Sequence, residues 1–254
     1  MVDLVNELAG KVALVTGSAR NLGRATAEEL ARAGAAVVIN AREAKALAEE
    51  VADGIVKAGG RALPLVADIT DEDAVAKMMA AAKAEFGGID ILVNNAANRS
   101  AAYFPEMDRA TWDRAMGAAV IGAFNVSRPC VAMMAERGGG AVVSMGGLTS
   151  YTGNAKRSHQ MAGKAALQAM TRGIAIDMGP KNVRANMVVV GVFETVRSAT
   201  SSVQHTMHDA IDIPLGRKGT PQDTADLIRF LVGPGATYIS GQTIHVNGAA
   251  FSAP

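Results

Sequence analysis

The chain has one cysteine in 254 residues, Cys130. No internal disulfide can form, which points to a reducing compartment and leaves the core to hold the fold. A lone thiol of this kind reads as a small buried hydrophobe rather than a nucleophile. Aromatic residues make up only 4% of the sequence, against 49% hydrophobic residues in all, so Ala, Val, Leu, Ile and the 13 methionines must fill the interior. That filling suits closely packed helices and sheet, and it offers no stacking platform for a ring substrate. Net charge is equally scarce: 25 basic residues stand against 24 acidic ones, with no long run of one sign. A phosphate backbone or an anionic membrane is therefore excluded as a partner. Uninterrupted apolar runs stay short of the roughly 18 residues a bilayer span needs. The start, Met1-Val2-Asp3-Leu4-Val5-Asn6-Glu7, has neither the basic opening nor the apolar stretch of a secretion signal, so a cytoplasmic protein is expected. Neither a Pro- or Ser-rich linker nor an internal repeat divides the chain, and a single domain is expected.

What is present is alternation. Short β-branched runs at Val12 to Val15, Val37 to Ile39, Ala62 to Val66, Ile91 to Val93, Ala141 to Val143, Val183 to Val190 and Thr243 to Val246 read as buried strands. Ala-rich stretches at Gly23 to Ala33, Glu43 to Ala58, Asp71 to Phe86, Arg109 to Glu136, Gln160 to Gly179 and Pro221 to Val232 read as helices between them. Strands separated by helices cannot pair as hairpins. They call for an α/β fold, a doubly wound, seven-stranded parallel sheet with helices on both faces. Thr70, three residues before Asp73, is the expected N-cap of the third helix. Val192 to Pro214 is polar, rich in Ser, Thr and His, and without a period; it reads as a mobile lid over a site or as an ordinary surface excursion.

The first strand runs through Thr16-Gly17-Ser18-Ala19-Arg20-Asn21-Leu22-Gly23 directly into the first helix. Such a turn lets backbone N–H groups and a helix N-terminus face a pyrophosphate, with glycine where a side chain would obstruct it. Two glycines alone would say little; their place between the first strand and first helix of an alternating chain says more.

This loop resembles the Thr-Gly-x-x-x-Gly-x-Gly loop of the short-chain dehydrogenase/reductase family, with Asn21 at the middle glycine. Asn tolerates the left-handed backbone conformation better than other non-glycine residues. The resemblance extends over essentially the whole chain, and it implies a Rossmann-type fold and a nicotinamide dinucleotide. By resemblance, Asp68, beside Ile69, hydrogen-bonds the adenine. Asn94-Asn95-Ala96-Ala97 is similar to the family's Asn-Asn-Ala-Gly. Gly191-Val192 to Thr195 resembles the segment that holds the nicotinamide carboxamide, with Val190 where proline is usual. Pro214 to Arg217 and Ile244 to Gly248 match structural positions. The implied cofactor contacts are then Gly17, Ser18, Arg20, Asn21, Leu22, Gly23, Arg42, Asp68, Ile69, Asn95, Ala96, Lys164, Gly191, Val192 and Thr195. An NAD-selective site needs a carboxylate at the end of the second strand, where it accepts from the ribose 2′-OH. Here that strand ends Ile39-Asn40-Ala41-Arg42, and Arg42 with Arg20 suits a 2′-phosphate. NADP(H) is expected over NAD(H).

The segment Ser158 to Lys164 resembles the family's Tyr-x-x-x-Lys helix, with Lys164 kept and Gln160 at the tyrosine position. Residues four apart on a helix share a face, which is what lets the pair cooperate in the family. Laid without gaps, the motif puts the family's substrate-orienting serine at Gly147 and its water-anchoring asparagine at Ala119, so three of four roles are vacant. An amide donates a hydrogen bond but exchanges no proton at neutral pH. Lys164, Gln160 and Tyr151 are the expected catalytic positions, Tyr151 as a relocated donor. Ser144, Ser150 and Tyr103 are weaker candidates, each with packing or exposure as its plainer explanation. His159 points about 100° away from Gln160 around the helix and reads as a flank residue. His205 and His208 lack carboxylate or Cys partners in the sequence, and no metal is expected.

Three functions remain open. One is an oxidoreductase acting on a small-molecule carbonyl, alcohol or activated alkene with an atypical site. Another is an inactive nucleotide-binding subunit or sensor, alone or with an active relative. The last is non-redox elimination or isomerisation. A homotetramer or homodimer pairing Arg109 to Glu136 and Gln160 to Gly179 is expected from the resemblance.

Overall fold

The structure is a computed structural model describing residues 6–98, 100–194 and 212–252. In chain order its elements are β1 (Val12–Val15), α1 (Asn21–Arg32), β2 (Ala36–Ala41), α2 (Lys45–Lys57), β3 (Arg61–Val66), α3 (Glu72–Phe86), β4 (Ile91–Asn94), α4 (Arg109–Met116) and α5 (Gly122–Glu136). They continue with β5 (Gly140–Gly147), α6 (Thr149–Thr152), α7 (Ser158–Met178), β6 (Val183–Val190), α8 (Pro221–Val232) and β7 (Thr243–Val246). The seven strands form one sheet in the order β3-β2-β1-β4-β5-β6-β7, every pair parallel. The order reverses between β1 and β4, so the loops leaving these two strands part in opposite directions and open a crevice at their carboxyl ends.

Alternation along each strand sends side chains to two cores. Ala13 and Val15 pack with α1, α2 and α8 through Leu22, Leu30, Val51, Ile55, Ile228 and Leu231. Val12 and Leu14 pack on the other face with α3 and α5 through Val75, Met78, Val126, Cys130 and Met134. Because both faces are covered, β1 and β2 are buried from end to end, and each large aliphatic side chain enclosed this way contributes about 1.5–3 kcal/mol. Pro64 lies in β3, the edge strand, where its missing N–H breaks no interior ladder.

Some local expectations change. Asp71, not Thr70, caps α3: its carboxylate accepts the Ala74 N–H at 3.1 Å. The Thr70 hydroxyl instead donates to Asp68 at 2.8 Å. The expected helix from Arg109 to Glu136 is interrupted by a π-helical turn at Gly117–Ile121. As a whole it is long and apolar enough by length and composition to pass for a membrane span, although its uninterrupted apolar runs are short; 44% of its most apolar window is buried within the protein. The one-turn α6 was not anticipated. Most of the expected lid, residues 195–211, lies outside the described residues.

Candidate functional site

The turn after β1 is laced to both neighbouring strands. Asn40, 2% exposed at the end of β2, accepts the Gly17 N–H at 3.2 Å and donates to the Ala67 carbonyl at 3.1 Å. The Ser18 hydroxyl donates to the Val15 carbonyl at 2.7 Å and accepts the Asn40 N–H at 3.1 Å. From β4, Asn95 donates to the carbonyls of Thr16 and Gly17 at 2.8 and 3.0 Å. The Thr16 hydroxyl accepts the N–H groups of Asn95 and Ala96 at 3.0 and 3.1 Å. This lattice explains the glycines. A Cβ on Gly23 would stand 2.5 Å from both the Asn95 amide nitrogen and the Gly17 carbonyl, and Gly17 has a φ of +63°. Asn21 adopts a φ of 50°, the left-handed conformation that asparagine tolerates.

Arg20 occupies the N-cap position of α1 without capping it, and the first turn holds no acid. The contrast is with α3, α4 and α8, whose first turns are capped by Asp71, Asp108 and Thr220. Beyond Ala41, 4% exposed, Arg42 projects into solvent and pairs with Glu43 at 2.9 Å. Asp68 is half-buried, one oxygen accepting the Thr70 N–H at 2.9 Å. Ile69 is buried, and its carbonyl accepts the Asn125 amide at 3.1 Å. Gly191 donates to Val246 at 2.9 Å, and a Cβ there would come within 2.7 Å of Asn247. Val192 is 5% exposed, while Thr195 lies outside the described residues.

At the β5–α7 side the geometry differs. Nothing lies within 4 Å of a Cβ built on Gly147. Ala119 falls in the π-helical turn and packs on α7, where a Cβ on Gly163 would come within 2.9 Å of its own. The Lys164 ammonium donates to the Met145 carbonyl. Gln160 is engaged on both sides: its amide nitrogen donates to the Ser100 carbonyl, and its oxygen accepts the Arg157 guanidinium at 3.1 Å. Arg157 also donates to the Ser100 carbonyl, at 3.1 Å. His159 turns inward rather than flanking the cleft: it is fully buried, with Nε2 3.0 Å from the Ser100 hydroxyl and Nδ1 unpartnered. Burial holds its pKa below the ordinary imidazole value; the Ser100 main chain acts the other way and the Arg157 charge adds to the lowering.

The remaining candidates are held elsewhere. Tyr151 accepts the Gln168 amide at 2.6 Å and meets the His245 ring edge-on at 4.7 Å. Gln168 lies two helical turns beyond Gln160, about 12 Å along α7. Ser144 is fully buried and accepts the Thr171 hydroxyl at 2.8 Å between β5 and α7. The Ser150 hydroxyl is buried without a partner. Tyr103 is 54% exposed. Cys130 is enclosed against Met79, and burial pushes its thiol pKa well up. His205 and His208 lie outside the described residues. Asn40, Ser100, Arg157 and Gln168 were not singled out as site residues from the sequence. Each acts through a partner at least three positions away, and only Arg157 had a signal, its i,i+3 spacing to Gln160.

The family model described as Enoyl-(Acyl carrier protein) reductase matches residues 17–249. The chain belongs to the short-chain dehydrogenase/reductase family. The 3-oxoacyl-(acyl-carrier-protein) reductase FabG of Aquifex aeolicus is 36% identical over 248 residues, covering 96% of this chain and 99% of the relative. The L-rhamnose 1-dehydrogenase (NAD(P)(+)) of Azotobacter vinelandii is 35% identical over 250 residues, covering 96% of this chain and 98% of the relative. Among solved structures, a 7α-hydroxysteroid dehydrogenase complexed with NADH and 7-oxo glycochenodeoxycholic acid superposes with a TM-score of 0.91 at 31% identity, covering 98% of each chain. In this short-chain dehydrogenase/reductase the turn after β1 has what a dinucleotide phosphate requires: two glycines that leave the backbone bare, an uncapped α1 N-terminus and a cationic rim at Arg20. The residues present therefore fit the group.

Proposed function

We propose that the chain is an oxidoreductase that interconverts a small carbonyl, or an activated alkene, and its reduced form with NADP(H) in preference to NAD(H). The observation that carries this reading is the dinucleotide berth: Gly17 and Gly23 held bare by Asn40 and Asn95 at an uncapped helix N-terminus. In this reading Gly17 to Gly23 hold the pyrophosphate, Asp68 and Ile69 the adenine side, Asn95, Ala96 and Lys164 the nicotinamide ribose side, and Gly191, Val192 and Thr195 the carboxamide. Arg20 and Arg42 supply charge for a 2′-phosphate, and the nonpolar Ala41 at the end of β2 repels nothing. The dinucleotide supplies the hydride chemistry; the chain positions substrate and stabilises developing charge. Gln160 retains a second amide hydrogen with which to polarise a substrate oxygen.

Parallel titrations of the whole chain with NADPH and NADH test the preference. Tighter NADPH binding is expected, and tighter NADH binding overturns it. A second reading, an inactive nucleotide-binding subunit or a non-redox enzyme, draws on the bare Gly147 and the engaged Gln160. NADPH oxidation across a broad carbonyl panel separates the two, since binding without any turnover favours the second. For assembly we infer a homotetramer or homodimer, because Ile121, Phe124 and Ile176 expose 51%, 48% and 76% of their surface on the helices expected to pair. Light scattering tests it, and a monomer refutes it. The cytoplasmic assignment remains part of this proposal.

A further inference from the structure

Gln160 stands four residues before Lys164, where the family carries a tyrosine, and the Tyr151 phenol is engaged by Gln168. Gln160 and Arg157 both donate to the Ser100 carbonyl. Two donors from the first turn of α7 thereby pin the backbone of residue 100 beside the position where the family carries its phenol. With that backbone fixed, the Ser100 hydroxyl lies 3.0 Å from His159 Nε2. Ser100 keeps partial exposure while His159 has none.

We propose that Ser100 and His159 form a replacement proton relay for the hydride transfer, with the Ser100 hydroxyl touching the substrate oxygen and His159 as the acid–base store behind it. The relay rests on the oxidoreductase reading above. Serine alone is too weak an acid or base for this work, and a base within hydrogen-bond reach is what makes a hydroxyl competent. In the oxidising direction the substrate O–H bond breaks and its proton passes to Ser100 Oγ. The proton already on Oγ moves to His159 Nε2. The nicotinamide that Asn95 and Lys164 would hold would accept the carbon's hydrogen with its electron pair as C=O forms. The imidazolium then returns its proton through Ser100 to water after product leaves; reduction runs the same steps backwards. Nδ1 has no carboxylate to hold a positive imidazole. The relay requires the neutral tautomer with hydrogen on Nδ1, which leaves Nε2 as acceptor for the serine proton. The Arg157 charge favours the same neutral form of the ring.

The test uses the full chain. Nitrogen-15 NMR of labelled histidine, with no cofactor added, should show His159 Nε2 as an acceptor whose shift moves in Ser100→Ala. In secondary-alcohol oxidation with NADP+, Ser100→Ala and His159→Gln should each lower kcat by about 10²–10⁴-fold. NADPH affinity should stay unchanged, and the wild-type rate should fall as pH drops through the imidazole pKa. The His159 variant is buried and can misfold, so Ser100→Ala, at a half-exposed site, decides. Full activity with an unaltered pH profile in Ser100→Ala overturns the relay while leaving the oxidoreductase reading intact, as does a loss confined to Tyr151→Phe. No dinucleotide binding, or no turnover by the wild-type chain, overturns both.

Discussion

Two regions share the carboxyl edge of the sheet and differ in how they are held. Around β1, every contact serves the backbone: Asn40, Asn95, Thr16 and Ser18 tie three strands into one lattice, and their side chains are spent on main-chain partners. Around β5 and α7, side chains hold one another as well as main-chain carbonyls such as those of Ser100 and Met145. A berth made of backbone tolerates little change, because any added atom meets main chain. A site made of side chains accepts substitution one residue at a time while the fold survives. Gly147 illustrates this, with open space where a side chain would stand, against Gly23, where the same atom meets two groups at 2.5 Å.

The largest effect expected from breaking this contrast comes from refilling the vacant side. Gly147→Ser with Gln160→Tyr supplies an orienting hydroxyl and a phenol four residues before Lys164, so in a Ser100→Ala background, where the proposed relay is broken, carbonyl reduction should recover by about 10²–10⁴-fold; steady-state NADPH oxidation measures it. Next is the crowded side: Gly23→Ala forces a shift against Asn95 and Gly17, costing about 1–3 kcal/mol and weakening NADPH binding, read by thermal melting and titration. Asn40→Ala strands the Gly17 N–H and the Ala67 carbonyl, and we expect a loss of about 1–3 kcal/mol in denaturant unfolding. The smallest effect is Gly147→Ser alone, within about 0.5 kcal/mol of the parent in the same unfolding measurement. A large destabilisation there would erase the contrast.

Much of the fold was legible. The bounds expected for β6, β7, α8 and β1 coincide with those observed, because apolar runs flanked by turn residues leave few alternatives. Boundaries slipped where side-chain chemistry competes: both Thr70 and Asp71 can cap, and the carboxylate, the better acceptor, takes the helix while the hydroxyl turns to Asp68. The π-helical turn at Gly117–Ile121 left no periodic trace, since one extra residue in a long apolar helix shifts the stripe without breaking it. At the site, Gly17 and Gly23 were readable from their place between the first strand and the first helix, and Lys164 and Gln160 from the resemblance to the family's helix motif. Asn40 and Ser100 were not, because their partners lie on other elements.

The sequence alone determined the class of fold and the family, the first from alternating apolar runs, the second from the resemblance of its glycine turn and of the Lys164 helix to the family's motifs. Only the tertiary structure decided that Gln160 is tied to Ser100 and that His159 faces inward onto the same residue. The loop after β4 and the start of α7 are about 60 positions apart, and no rule of local spacing says which polar groups meet when the sheet brings them together.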